Sequence, residues 1–140
     1  MRRISRTARP LIAGVAAVVL AFGVASCGGG DSDLSELAQQ GRNTSNSNGC
    51  ASCHGANGQG GVGPSWIDLA GSQVELKVPE SEGGGTRTVT ADDDYLLRAI
   101  LDPAAEEVVG YTVKMPTNGL SEAQARDIIV YIKELTSDGG

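Results

Sequence analysis

Histidine occurs once in this 140-residue chain and cysteine three times, and beyond residue 26 there is one methionine and no phenylalanine. These shortages exclude several chemistries. A structural zinc site wants four protein ligands and a catalytic one wants three plus water. If Cys27 is otherwise occupied, only Cys50, Cys53 and His54 remain, so zinc would need a carboxylate that no spacing supplies. The chain also lacks a full membrane-spanning run. Its longest apolar stretch, LIAGVAAVVLAFGVA at 11–25, has 15 residues against the roughly 20 needed to cross a bilayer.

That stretch follows Arg2, Arg3, Arg6 and Arg9 and runs into the small residues Ala25 and Ser26, the order of a secretion signal over residues 1–26. A retained membrane helix is the alternative. VASC at 24–27 resembles the bacterial lipobox, which makes Cys27 the lipidated first residue of the mature chain and 27–32 a flexible tether. An ordinary signal peptide with a chance cysteine at its junction would read similarly. The expected organisation is then a domain over 33–137 with a short tail at 138–140. The protein is expected to be exported and lipid-anchored, on the outer face of the cell membrane or in the periplasm.

Positive charge is scarce too. Without residues 1–26 the chain keeps seven basic residues against seventeen acidic ones, a net charge of −10. Nucleic acid and bare anionic lipid would repel it, whereas a basic docking surface on a partner would attract it.

What the chain does have is GCASCHG at 49–55. Cysteines three apart followed at once by histidine form the attachment motif of c-type haem. On one helical turn, residues i and i+3 share a face, so both sulfurs can reach the vinyl groups along one porphyrin edge while His54 is directed at the iron. A thioredoxin-like pair would sit in a βαβ pattern, which is missing here. One covalently bound haem c is the expected cofactor. For the sixth iron ligand, Met115 in YTVKMPTNGLS is the mature chain's sole methionine, and its soft sulfur favours ferrous iron. Lys114 or an open position remains the alternative, and a gap-filling core methionine is the structural one.

Periodicity points to a small all-α domain of three to five helices. Leu34, Leu37, Ala38 and Gly41 fall on one helical face, with Asp33 as a cap. Ser121 and Gln124 make a capping-box pair. They lead a helix with Ala125, Ile128, Ile129, Ile132 and Leu135 inward and Arg126, Asp127, Lys133 and Glu134 outward. Gly41 could admit this helix closely at Tyr131. DDDYLLRAIL opens with acidic residues that suit a helix N-terminus and is closed by Pro103. Between them, SQVELKVPESEGGGTRTV at 72–89 suggests a β-hairpin or surface flap, with Gly83–Gly85 as its turn.

The ordered set GCASCHGANGQGGVGPSW, TADDDYLLRAILDP, EEVVGYTVKMP and LSEAQARDIIVYIKEL resembles the class I cytochrome c family. The likeness is nearest to the cytochrome c domain fused to subunit II of bacterial haem-copper oxidases. The resemblance implies that Cys50 and Cys53 form the thioethers and that His54 and Met115 bind the iron. It also implies that the Pro64 carbonyl accepts a hydrogen bond from His54. Pro64 could instead be only a turn former. Trp66 and Tyr111 could each bond a haem propionate or simply pack. The sequence departs from that relative in having no copper-binding domain. NTSNSN at 43–48 is also more polar than the pattern, so the first helix is expected to fray there. The expected function is a lipid-tethered, free-standing electron carrier rather than an enzyme: a monomer passing single electrons to or from a respiratory oxidase or reductase. The alternative is a haem protein that binds small ligands or peroxide through a labile distal position.

Overall fold

The computed structural model describes residues 34–137. The expected signal segment, Cys27, the tether, Asp33 and the tail at 138–140 lie outside the described residues. Within them, the order is helix α1 (Glu36–Ser47), helix α2 (Ala51–His54), strand β1 (Gln73–Lys77), strand β2 (Thr86–Thr90), helix α3 (Asp93–Leu101) and helix α4 (Glu122–Glu134). A mostly helical domain with one short hairpin is thus what the periodicity implied.

Helices α1, α3 and α4 each start where a short polar side chain can serve the open amides. Ser35 caps α1 by accepting from the Ala38 N–H, taking the position that the sequence had suggested for Asp33. Asp92 caps α3 through the Tyr95 N–H, with Asp93 and Asp94 in the first turn where the helix dipole favours negative charge. Ser121 and Gln124 form the reciprocal capping box of α4. Helix α3 stops at Leu101, two residues before Pro103.

Helices α1 and α4 cross at Gly41. A Cβ there would lie 2.0 Å from the Asp127 carbonyl oxygen and 3.0 Å from the Tyr131 Cβ. So close an approach leaves room only for small residues on the centre of the α1 face, and Ala38, Gly41 and Ser45 are the ones buried. This corrects the place given to Leu37, which flanks the seam and is 61% exposed. Glu134 also departs from the outward reading. It is half-buried and accepts from the Ser35 N–H and Oγ at 2.8 and 2.6 Å, tying the start of α1 to the end of α4.

The polar stretch 43–48 does not fray: α1 continues through Ser47. Ser45 is buried with its hydroxyl donating to the Arg42 carbonyl at 2.8 Å, and the Asn48 amide donates to Thr44. Small polar residues whose groups are satisfied by the helix's own backbone can line a close crossing that a large side chain would wedge open.

The hairpin pairs antiparallel, with Val74 opposite Val89 and Leu76 opposite Arg87. Alternation along β1 buries Val74 and Leu76 while Gln73, Glu75 and Lys77 face water. Leu76 thereby joins a single core of Tyr95, Leu96 and Ile100 from α3, Ala125, Ile128, Ile129, Tyr131 and Ile132 from α4, and Trp66.

Candidate functional site

Directly after α1 the chain tightens into α2, the turn that carries the motif. The Cys53 and His54 N–H groups both donate to the Cys50 carbonyl, at 3.1 and 3.0 Å. Cys50 itself has helical backbone angles, so both thiols project from one turn. Both are half-buried and neither is in a disulfide. Burial pushes the Cys50 thiol above its ordinary range, and the neighbouring Cys53 adds to this while a backbone hydrogen bond opposes it.

Residues 55–66 fold back over the end of α2 and serve its open carbonyls. Gly60 donates to the His54 carbonyl at 2.7 Å and Gly63 to that of Cys53 at 3.0 Å. Gly63 then lies against the imidazole: a Cβ there would be 3.1 Å from His54 Cε1 and 3.2 Å from Nδ1. The fold-back brings the Pro64 carbonyl to 2.8 Å from His54 Nδ1. A carbonyl can only accept, so Nδ1 carries the proton. Nε2 then has a free lone pair, and no described residue bonds to it. Burial lowers the His54 pKa, and the bond to Pro64 offsets this only in part, so the ring is held neutral.

Trp66 stacks on the imidazole with ring centroids 4.6 Å apart and planes 22° apart. Its other side meets Tyr131 edge-on at 6.2 Å. This chain of rings joins the motif to the α1–α4 seam. The sequence did not reveal it, although a tryptophan two residues beyond Pro64 was the available signal. No described residue accepts from the Trp66 indole N–H.

Met115 and Tyr111 are half-buried in the irregular segment between α3 and α4. No hydrogen bond or ring contact joins either of them to the Cys50–Trp66 unit. Lys114 is exposed and lies 3.8 Å from Glu107.

The donor set decides which cofactor could fit. Among the described residues no group of three or more histidine, cysteine and carboxylate side chains could hold a metal ion. If His54 and Met115 both held an iron ion, a macrocycle such as haem would supply the four further donors that the described residues do not. The surroundings suit an apolar group. Val62, in the loop over α2, and Val113, two residues before Met115, are each 55% exposed. Large aliphatic side chains are thus left open in both segments that carry candidate ligands. Two surface concavities lie elsewhere, one lined by Ala70, Asp92–Asp94 and Lys133 and the other along the polar face of α1.

Among curated proteins no match is found. A family model described as Cytochrome c matches residues 38–136, most of the chain. A mostly helical domain, a C-x-x-C-H turn with a neutral imidazole and a match of that length agree, and the chain belongs to the cytochrome c family, haem-based electron carriers with covalently attached haem c.

Proposed function

We propose that this protein is a lipid-tethered, monomeric carrier of single electrons between membrane respiratory complexes, with no catalysis of its own. The observation that carries the reading is the polarised imidazole of His54. Its Nδ1 proton is committed to the Pro64 carbonyl at 2.8 Å, which leaves Nε2 as a basic donor. In this reading Cys50 and Cys53 hold the haem by thioethers, His54 is the proximal ligand and Met115 the distal one. Trp66 and Tyr111 are candidates to bond the propionates.

Haem, when bound, supplies a one-electron change at iron. The chain's part is to fix the ligands, exclude water and dock. Trp66 and Gly63 confine the imidazole on two sides, so the ring cannot rotate away from its carbonyl partner. Were His54 and Met115 both to hold the iron, no coordination site would be left for a substrate. The sulfur donor raises the reduction potential relative to nitrogen ligands.

A signal over 1–26 and lipid on Cys27 would place the domain on the outer face of the cell membrane or in the periplasm, near its partners and at raised effective concentration. The acidic surface favours a partner with a basic docking face, such as the terminal oxidase suggested by the likeness to oxidase subunit II domains. The test is the weak red absorption band of sulfur-ligated ferric haem. It is expected in the wild type and lost in Met115→Ala; its absence from the wild type, or its survival in the variant, overturns the ligand assignment. In the same host, Cys27→Ala should release the protein from membranes, and a variant that stays membrane-bound refutes the tether.

A further inference from the structure

The segment that carries Met115 has little regular structure, yet it is fastened at two points. Downstream, the Asn118 amide donates to the Ile100 carbonyl at the end of α3, at 2.6 Å. Upstream, residues 107–109 lie along β1 almost as a third strand. The Lys77 N–H donates to the Glu107 carbonyl at 2.8 Å and the Val109 N–H to that of Glu75 at 2.9 Å. Leu76 and Val108 form an antiparallel bridge between these bonds.

Side chains reinforce the upstream point from both strands and from α3. Arg87 of β2 lies 2.6 Å from Glu106 Oε1, and Arg98 of α3 lies 4.0 Å from the same oxygen. Lys77 of β1 pairs with Glu107. The Glu106 side chain is 14% exposed, and its Oε2 is buried with no hydrogen-bond partner. The carboxylate therefore depends on the guanidiniums facing its other oxygen. Removing Arg87 takes away the nearer one.

We propose that the β1–β2 hairpin is a clamp on the Met115 segment, and that Arg87, Glu106 and Lys77 are positioning residues for the distal sulfur. The inference rests on the reading of Met115 as the distal ligand. With both fasteners in place, the free stretch around Met115 is residues 110–117. With the upstream one released it extends back to 103, about twice the length. Doubling a flexible loop costs about a factor of three in closing it. The sulfur should therefore compete about threefold less well for the iron.

The experiment titrates the ferric, haem-loaded full chain with imidazole and follows hydrogen exchange at the Val109 amide. Arg87→Ala and Glu106→Gln, which preserves the side chain's size, should each raise imidazole affinity about threefold and speed exchange at Val109. Arg126→Ala, which removes an exposed pair within α4, should do neither. If either clamp variant fails to fold, the other carries the test. Should the wild type show the sulfur band while both clamp variants bind imidazole as the wild type does, the clamp is refuted. Faster exchange at Val109 with unchanged imidazole affinity refutes it equally, because the segment would then be loosened without effect on the sulfur. A wild type with no sulfur band instead overturns the ligand reading beneath it.

Discussion

Gly41→Ala is a single added methyl group at the tightest point of the helix crossing. The new Cβ would lie 2.0 Å from the Asp127 carbonyl oxygen, where ordinary contacts are about 3.5 Å. The carbonyl belongs to the α4 backbone and the Cβ is fixed rigidly by the α1 backbone, so no side chain can swing away. The helices must part by more than about 1 Å, and a gap of that size forfeits up to about half of each contact's dispersion energy. Overpacking of this kind costs about 1–3 kcal/mol, and the seam includes Ala38, Ala125, Ile128, Tyr131 and Ile132, all nearly inaccessible to solvent. The cost belongs at the top of that range or above it, since rigid elements must move. Alanine's better helix propensity returns about 1 kcal/mol. The net loss is about 2 kcal/mol, which for a domain of about 100 residues lowers the melting temperature by roughly 10–15 °C. Far-ultraviolet circular dichroism of the haem-loaded protein reads this directly. Melting within about 2 °C of the wild type would refute the close-crossing account, since that is well under the shift expected for 1 kcal/mol.

Other perturbations reach the remaining parts of the fold. Leu76 is fully buried, so Leu76→Ala should cost about 2–5 kcal/mol; a loss below about 1 kcal/mol in urea unfolding would mean that the hairpin is not part of the core. Burial first, and the Glu106 carboxylate second, push the Tyr95 pKa up, with Arg98 and Arg87 opposing. That stabilisation is complete below the unfolded value of about 10 and is lost as pH rises through the raised folded value. The difference in melting temperature between wild type and Tyr95→Phe should therefore hold steady to about pH 9 and then shift in favour of the phenylalanine variant, and a difference independent of pH would contradict it. A haem-free Cys50→Ser, Cys53→Ser double variant should lack native helicity and cooperative melting, because a core without phenylalanine is too small to offset chain entropy by itself.

Elements with a strong local period were legible in the sequence. The capping box at Ser121 and the acidic start of α3 announced two helices, and alternating valines with the glycines at 83–85 suggested the hairpin. Leu37 misled because periodicity identifies a face but not how closely a neighbour approaches it. Gly41 brings α4 so near that the large side chain is displaced to the flank. The polar run 43–48 misled for a related reason: its polarity, set against the family pattern, pointed to fraying, whereas the crossing needs a residue of Ser45's size with its hydroxyl satisfied by the helix backbone. At the site, spacing alone placed both thiols on one turn. The stack of Trp66 on His54 arises from the fold-back of residues 55–66, and no local pattern encodes it. The bridge between Leu76 and Val108 is likewise a contact across 32 positions, invisible to a reading made along the chain.

The account stands on a covalent link between Cys50, Cys53 and a haem. The full chain should be purified from a host able to attach haem, denatured, and its intact mass determined while absorbance is recorded. The account predicts a coloured polypeptide heavier by one haem, with the added mass confined to the peptide that contains Cys50 and Cys53. A colourless chain of unmodified mass at that peptide would contradict it.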